Sequence, residues 1–330
     1  MIPVLEVGGT HVVAAMVDLE GVGAGVGPGS GDAARFGAAP AVRCQARRAL
    51  DAAADADTVL GAVLRCGAEL SVPPGAVWGV AVPGPFDYAR GIALFEGVGK
   101  FDALHGVDVR KVLLHGLPGR PRDVVFLNDA HAFLLGEAHA GAAAGHRRAI
   151  GITLGTGVGS AFLADGELRA EGPGVPPEGR VDLLRINGRP LEDTVSRRAI
   201  VAGYAAGDTD TGAVVDVLEI AVRARAGEES ATRILHTTFH TLGATLAPHA
   251  NAFGATALVI GGSMSRSWDL VASPLRAGLG HTPVSVQRST LDAAAPLLGA
   301  ALAATRRVPS GGRRPARRDG WARTAPQPPA

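Results

Sequence analysis

Apolar runs separated by glycine-rich breaks divide the chain into short strands and longer helices. Residues 3–19 read as strand, Gly-Gly turn and strand, which predicts a hairpin. Residues 149–168 predict a second hairpin, with Gly-Thr-Gly at its first turn and Asp-Gly beyond its second strand. Short β-rich runs predict further strands at 77–84, 124–127 and 255–265. The pattern therefore indicates sheets built from hairpins together with single strands.

Apolar residues at helical spacing predict the helices that separate these strands. The predicted helices cover 56–72 (which ends at Pro73-Pro74), 129–140, most of 193–250 and about 291–307. The segments 21–40 and 170–192 are rich in Gly or Pro, and we expect loops or irregular structure there. The fold class predicted from this alternation is α/β.

The length of 330 residues is too great for one small core, so we expect two domains. We place an N-terminal α/β domain at 1–122, with the closing helix at about 291–307 packing back on it, and a C-terminal α/β domain at 123–290. Each half contains strand, glycine-rich turn with a Thr, and strand, which is a weak internal duplication. Residues 308–330 are rich in Pro and Arg and lack apolar periodicity. A solvated, disordered tail is favoured there over a contact with an anionic partner.

The composition narrows the class of protein. Hydrophobic residues make up 47% of the chain, charged residues 19%, and the formal charge is +1, so nothing in the overall balance attracts nucleic acid or an acidic membrane. The longest uncharged stretch, 149–164, is broken by Gly and shorter than a membrane-spanning helix requires. Cys44 and Cys66 share no metal-ligand spacing and make no disulfide framework. We expect no signal peptide, because Met1 leads directly into the strand-like "IPVLEV". These features predict a cytoplasmic protein without nucleic-acid or membrane partners.

Two glycine-rich hairpin turns are candidates for binding phosphate groups. Glycine permits close approach of the backbone, so successive N–H groups can converge on an anion, and a Thr hydroxyl adds a donor. Either turn alone would be an ordinary hairpin turn. Two such turns facing each other across a cleft, with a third glycine-rich strand end, favour a nucleotide site, and its candidate residues are Gly8, Gly9, Thr10, Gly155, Thr156, Gly157, Gly159, Gly261 and Gly262.

Two familiar nucleotide motifs do not fit. The stretch "GTGVGS" departs from G-x-G-x-x-G and precedes a predicted strand rather than a helix. The chain also lacks G-x-x-x-x-G-K-[ST], because its one Gly-Lys pair lies in "VGKF". A nucleotide site without either motif points to the actin-like, sugar-kinase (ribonuclease H-like) ATPase fold, in which two domains enclose a cleft.

Asn128 and Asp129 lie between the predicted strand "VVFL" and the predicted helix that follows it. Asn and Asp are favoured helix N-caps, so this segment alone leaves capping and chemistry open.

Five motifs together resemble the ROK family of sugar kinases and sugar-responsive repressors. In chain order they are "LEVGGTHVVAAMVD", "WGVAVPGPFDYARGIA", "FLNDAHAFLLGE", "GITLGTGVGSAFLADGEL" and "LVIGGSMS". The first has Glu6 where the family usually has Asp, and the third has His131 in place of a customary Asn. Whether His131 faces the pocket or packs is left open.

The resemblance implies roles for individual residues. Asp129 would be the general base and Asn128 a contact to the acceptor sugar. An Asp of ordinary pKa, about 3.9, is ionised at neutral pH and could serve without tuning. Gly84 would contact the acceptor through its backbone, and Glu192 matches an acidic sugar ligand, although a first-turn Glu favoured by the helix dipole explains it equally well. Glu178 matches a further sugar-binding Glu, with Glu171 as a rival.

The chain departs from the family at its zinc motif. Residues 171–193 contain neither Cys nor His, so we expect no zinc and assign no metal-ligating residue. The missing His normally also binds the sugar, which implies a remodelled acceptor pocket. His236, His240 and His249 lie on one predicted helix, where surface or satisfied histidines are favoured over a metal site.

The resulting expectation is an ATP- and Mg²⁺-dependent kinase acting on a small sugar or sugar-like acceptor, such as glucose, an aminosugar or a C7-cyclitol. The alternative is a non-catalytic sugar sensor of the same family. A repressor is disfavoured because the first phosphate turn lies within ten residues of the start, leaving no room for a DNA-binding domain before it. The resemblance also implies a homodimer.

Overall fold

The computed structural model describes residues 1–19, 41–207 and 215–306. The predicted loop at 21–40 and the predicted tail at 308–330 lie outside the described residues. Within the described ranges, no helix is both long enough and apolar enough to cross a membrane.

Fourteen strands are formed by the described residues. In chain order they are β1 (Ile2–Val7), β2 (His11–Asp18), β3 (Ala41–Ala49), β4 (Val77–Val82), β5 (Phe86–Asp87), β6 (Ile92–Ala93), β7 (Asp123–Asn128), β8 (Arg148–Leu154), β9 (Val158–Ala164), β10 (Glu167–Leu168), β11 (Arg185–Ile186), β12 (Arg189–Pro190), β13 (Ala257–Gly261) and β14 (Ser285–Arg288).

Nine α-helices accompany them in the same ranges. They are α1 (Ala56–Gly67), α2 (Val109–Gly116), α3 (Asp129–Ala140), α4 (Glu192–Val195), α5 (Arg197–Gly207), α6 (Val217–Arg225), α7 (Glu229–Phe253), α8 (Trp268–Leu279) and α9 (Ala294–Arg306). Short 3-10 helices lie at Asp102–Leu104, Pro177–Gly179, Val181–Leu183 and Ser263–Ser267.

Two mixed five-stranded sheets share one arrangement. The first has the order β3-β2-β1-β4-β7 and the second the order β10-β9-β8-β13-β14. In each sheet a hairpin, β1–β2 or β8–β9, is followed by two parallel strands. The weak duplication read from the sequence is therefore a repeated sheet topology. This is a two-domain, actin-like α/β fold, as expected from the phosphate-turn pattern.

The helices α3 and α9 connect the two sheets. α9 packs on β1, β4 and β7 of the first sheet, whereas α3 packs on β8 and β9 of the second. The two helices also pack on each other with their backbones in close approach, because a Cβ at Gly136 or Gly299 would overlap the carbonyl oxygen of the facing helix. One buried apolar cluster includes Val4 from β1, Leu297 from α9 and Val259 from β13. The element that carries Asp129 is thus held between both sheets.

Several elements differ from the prediction or were absent from it. The first predicted helix ends at Gly67 rather than near residue 72, since the next N–H groups, of Glu69 and Leu70, donate three residues back instead of four. The edge strand β3 was not predicted because Arg43, Gln45 and Arg48 leave it mostly exposed and polar. Helices α2 and α8 and strand β14 were also not predicted. The predicted irregular segment contains two 3-10 helices and the β11–β12 hairpin.

Candidate active site

Asn128 ends β7 and caps α3. Its Oδ1 accepts hydrogen bonds from the N–H of Ala130 at 2.9 Å and of His131 at 3.3 Å. Its Nδ2 donates to the hydroxyl of Tyr88 at 3.1 Å. The capping interpretation is therefore correct, and the same side chain also joins the helix start to the segment after β4.

Asp129 occupies the first position of α3 and is half-buried. Its Oδ1 accepts from the N–H of Ala130 at 2.9 Å. Burial raises the pKa of this carboxyl, while the Ala130 N–H and the charge of Lys100 act in the opposite direction. The expectation of an ordinary Asp pKa is therefore wrong. Burial removes water from the carboxylate, and the ionised group is a stronger base for that reason.

Glu6 places a second carboxylate beside Asp129. It lies near the end of β1, the strand next to β4, which in turn pairs with β7. Burial and the negative charge of Asp129 raise the pKa of Glu6 to about 7, and Arg47 partly offsets them. The carboxyl ends of these parallel strands thus bring two acidic groups to one edge of the sheet.

Glu6→Gln is expected to stabilise the protein more at pH 8 than at pH 5. The folded-state pKa of about 7 exceeds the ordinary 4.5, so the contribution of Glu6 to stability is fully present below 4.5 and is lost as pH rises through 7. Gln resembles the protonated acid. Between the two pH values, the free-energy difference between variant and parent in urea unfolding should grow by about 2 kcal/mol.

Glu167→Gln serves as the control for this change, because Glu167 is exposed and pairs with Arg169 only at 3.6 Å. Its unfolding free energy should follow that of the parent at both pH values. An equal response of the two variants to pH would contradict a raised pKa at Glu6.

The second glycine-rich turn connects β8 to β9 and adjoins Glu192. The N–H of Gly155 donates to the carbonyl of Gly157 at 3.0 Å. A Cβ on Gly157 would lie 2.6 Å from Oε1 of Glu192, so this half-buried carboxylate rests directly against the turn. Burial, and next the charge of Asp182, raise the pKa of Glu192. The predicted sugar ligand and the predicted phosphate turn are therefore neighbours.

The predicted glycines at the ends of β9 and β13 have packing reasons for being glycine. A Cβ on Gly159 would lie 2.9 Å from the Cβ of Ala130, at the start of α3. A Cβ on Gly261 would overlap the ring of Phe133. Gly262 has a φ of 83° and faces the backbone of Leu154. These contacts bring the β8–β9 turn, the end of β13 and the start of α3 together.

The first glycine-rich turn is open and exposed. The N–H of Gly8 donates to the carbonyl of His11 at 2.9 Å, and a Cβ on Gly9 would meet no atom within 4 Å. The Thr10 hydroxyl lies 3.2 Å from Nδ1 of His11. Burial lowers the pKa of His11. The space next to Gly9 is therefore large enough for an anion.

Three residues that sequence reasoning missed also face this site. Tyr88, whose hydroxyl would lie 3.3 Å from a Cβ on Gly84, donates to the carbonyl of Val82 at 3.4 Å. Arg180 is held by Asp182 through contacts of 2.6 and 3.3 Å. Lys100 interacts electrostatically with both Asp129 and Glu192. Tyr88 lies within the second family motif but was assigned no role, and Arg180 and Lys100 stand in no motif, so only the fold brings the three together.

The remaining predicted positions are less central. Glu178 is exposed, has a φ of 57° and lies within electrostatic range of Arg180. Its rival Glu171 lines a separate surface cavity of about 260 Å³ together with Arg148 and Arg169. Burial lowers the pKa of His131 to about 4, so its ring is neutral near pH 7.

The histidines of α7 are not gathered around this site. His236 and His240 are exposed and stack on one another with ring centroids 6.0 Å apart. His249 contacts the carbonyl of Gly174 through Nδ1 at 2.9 Å. Across the residues that the structure describes, no group of three or more His, Cys, Asp or Glu side chains is arranged to hold a metal ion.

The two repeated sheets, with acidic residues and glycine-rich turns at their strand ends, define a two-domain, actin-like α/β fold. The profile of the ROK family matches residues 79–307, which is more than half of the chain. The protein belongs to the ROK family.

Two glucokinases are similar to this chain in sequence. A glucokinase of Thermotoga maritima is 29% identical over 222 residues, covering 60% of this chain and 67% of that protein. A glucokinase of Streptomyces coelicolor is 32% identical over 185 residues, covering 49% of this chain and 56% of that protein. The alignments therefore span between about half and two thirds of these relatives' lengths.

A solved structure matches most of the chain. The ROK family glucokinase from Streptomyces griseus, in complex with glucose and AMPPNP, is 25% identical. It superposes with a TM-score of 0.70, covering 92% of this chain and 99% of that chain. This agreement supports the two-domain α/β fold.

Proposed function

We propose that the protein is an ATP-dependent kinase that transfers the γ-phosphoryl group to a hydroxyl of a sugar or sugar-like acceptor. The observation that carries the proposal is the placement of Asp129, a half-buried carboxylate that directly follows β7. Its charge acts on Glu6, and the next residue, Ala130, packs against Gly159 of the β8–β9 hairpin. Phosphoryl transfer depends mainly on positioning and charge neutralisation, which such a cleft provides.

On the acceptor side, Asp129 would accept the proton of the attacking hydroxyl as the bond to phosphorus forms. Asn128, fixed by its hydrogen bonds to the start of α3, would orient the acceptor from the same strand end. Gly84, Glu178 and Glu192 would complete the contacts to the acceptor. The raised pKa of Asp129 suits this role because a stronger base accepts the proton more readily.

On the nucleotide side, the glycine-rich turns would hold the phosphates through backbone N–H groups and the hydroxyls of Thr10 and Thr156. The carboxylates of Glu6 and Asp129 suit a Mg²⁺ ion, which proteins bind through one or two carboxylates together with substrate phosphates. The Mg²⁺-bound nucleotide supplies the phosphoryl group and neutralises its charge. Zinc is not part of the proposal.

The acceptor is proposed at the level of a class: a hexose such as glucose, an aminosugar or a C7-cyclitol. The names of the curated relatives favour glucose. Arg180 favours an acceptor pocket that differs from the usual one of the family. It lies in the segment 171–193, which lacks zinc ligands, and its guanidinium is within electrostatic range of Tyr88 and Glu192. Acceptors that differ at one substituent would separate these two indications.

An ADP-release assay with Mg-ATP across glucose, mannose, free and N-acetylated aminosugars and C7-cyclitols tests the proposal. Turnover on one acceptor supports a kinase and identifies its substrate. Binding of ATP or sugar by calorimetry without turnover on any acceptor would favour the alternative, a non-catalytic sugar-binding sensor of the ROK family.

The homodimer implied by the resemblance and the cytoplasmic location expected from the sequence stay predictions. Light scattering coupled to gel filtration measures the first of them. A mass of one chain at micromolar concentration would contradict the homodimer.

A further inference from the structure

The hydroxyl of Tyr88 lies beside two positions that the proposed function gives to the acceptor. It accepts a hydrogen bond from the Nδ2 of Asn128, at the end of β7, at 3.1 Å. It also lies against Gly84, where a Cβ would be 3.3 Å from the phenolic oxygen. Asn128 and Gly84 belong to different motifs, and the Tyr88 hydroxyl is close to both. A ligand held by these two residues would therefore have this hydroxyl as a neighbour.

Asn128 has little hydrogen-bonding capacity left for a ligand. Its Oδ1 already accepts from the N–H groups of Ala130 and His131, which occupies both lone pairs. One of its two Nδ2 hydrogens is donated to Tyr88. Asn128 can therefore offer an acceptor a single N–H and no acceptor lone pair. A second polar group beside it would be required to fix the orientation of a sugar.

Tyr88 has that capacity. A phenol has one O–H donor and two acceptor lone pairs, and Asn128 occupies one of the lone pairs. The O–H donates to the carbonyl of Val82 at 3.4 Å, which is longer than the usual range of about 2.5–3.0 Å for an O–H···O bond. Turning the O–H to a ligand oxygen would replace this long hydrogen bond by one of ordinary length. The hydroxyl can thus donate to an acceptor while it still accepts from Asn128.

The segment that carries Tyr88 is held on both sides. The Tyr88 ring packs on the buried ring of Phe86, with centroids 5.4 Å apart. Beyond Tyr88, Arg110 donates to the carbonyl of Ala89 at 3.1 Å and pairs with Asp123, the first residue of β7, at 2.6 Å. The start of β7 is therefore joined to this segment through Arg110, and its end through the Tyr88 hydroxyl. Such support limits the entropy that is lost when the hydroxyl binds a ligand.

We propose that Tyr88 is a specificity-determining residue of the acceptor site, where its O–H donates a hydrogen bond to one hydroxyl of the sugar or sugar-like acceptor. This role deepens the proposed kinase function and rests on it. The partner must have a lone pair, so an acceptor hydroxyl can take this hydrogen bond, whereas a protonated amine at the same position cannot. Tyr88 takes no proton in the reaction, because the base in the proposed function is Asp129.

Tyr88→Phe tests the proposal, because it removes the hydroxyl and keeps the ring. Calorimetric acceptor affinity, kcat and KM are measured on the best acceptor of the panel above and on its derivatives that each lack one hydroxyl. We expect acceptor affinity to fall about tenfold, the effect of one neutral hydrogen bond, with kcat and the KM for Mg-ATP within about threefold of the parent. One derivative should bind the parent about tenfold more weakly and the variant no more weakly than the full acceptor does, since both changes remove the same hydrogen bond.

Tyr204→Phe is the matched control, because Tyr204 is the second of the chain's two tyrosines. Its hydroxyl donates to Glu228 at 2.5 Å and accepts from Arg223 at 3.0 Å, among the helices α5, α6 and α7. This variant loses two hydrogen bonds and should have a lower melting temperature than the parent. It should nevertheless keep the parent's acceptor affinity and the parent's response to every derivative, which separates loss of stability from loss of an acceptor contact.

Two outcomes overturn the proposal. One is an acceptor affinity of Tyr88→Phe equal to that of the parent. The other is a loss of the same size on every derivative, because the hydroxyl would then act only through Asn128 and contact no particular acceptor group. If the parent turns over no acceptor, the kinase function fails, yet the sugar affinities still decide whether Tyr88 contacts the sugar. A parent that binds no member of the panel overturns both proposals.

Discussion

Asp129→Asn is expected to lower kcat about a thousandfold on the best acceptor, within the range that a positioned general base contributes. The amide has the shape of the carboxylate, and its oxygen can still accept from the N–H of Ala130. The start of α3 should therefore stay in place while the group that takes the proton is lost. Affinity for Mg-AMPPNP should remain within a few-fold of the parent, because the glycine-rich turns proposed to hold the phosphates and the carboxylate of Glu6 are unchanged.

The matched control for this change is Asp55→Asn. Asp55 is the exposed N-cap of α1, where its carboxylate accepts from the N–H of Thr58 at 2.8 Å. Asn is an equally good N-cap, so this variant should keep both stability and turnover. If Asp129→Asn retained kcat within tenfold of the parent, Asp129 would not be the base, and Glu6, the carboxylate beside it, would be the next residue to replace.

The sequence predicted those parts of the fold that local residues determine. The sequence identified both glycine-turn hairpins, the strand β7 and the helix α3. In each of them the spacing of apolar residues and the glycine or cap residues occur within a few positions of one another. The edge strand β3 was missed because its exposed residues are polar and its pairing partner, β2, ends at Asp18, far along the chain from the start of β3 at Ala41. The shared topology of the two sheets was visible in the sequence only as a repeated glycine-rich turn, because the parallel strands that complete each sheet come from distant segments.

The same division applies to the candidate site. Asn128, Asp129 and the glycine-rich turns stand in short motifs that a reader of the sequence can find. Tyr88 lies in a motif but had no predicted role, and only the fold brings its hydroxyl to the Nδ2 of Asn128. The pKa of Asp129 was misjudged for the same reason: burial by other elements is a property of the whole fold.

The packing of α9 on α3 helps to hold Asp129 in place, because Asp129 is the first residue of α3. Gly299→Ala is expected to destabilise the protein by about 3 kcal/mol, because overpacking that backbone cannot relieve reaches this size. The new Cβ would overlap the carbonyl of Ala132 in α3, and no side chain there can move away. Alanine favours a helix by about 1 kcal/mol over glycine, so this loss arises despite a gain in helix propensity. Urea unfolding followed by circular dichroism measures it.

Gly61→Ala is the control that separates propensity from packing. Gly61 also lies inside a helix, α1, but its new Cβ would meet only the guanidinium of Arg65, with Nη1 at 2.9 Å, and this end of a long side chain can turn aside. This variant should be as stable as the parent or about 1 kcal/mol more stable. A shift of the same sign and size in both variants would mean that α9 and α3 do not meet backbone to backbone. If only Gly299→Ala is destabilised, and its kcat also falls under conditions in which it stays folded, the packing of α9 on α3 contributes to positioning the base as well as to stability.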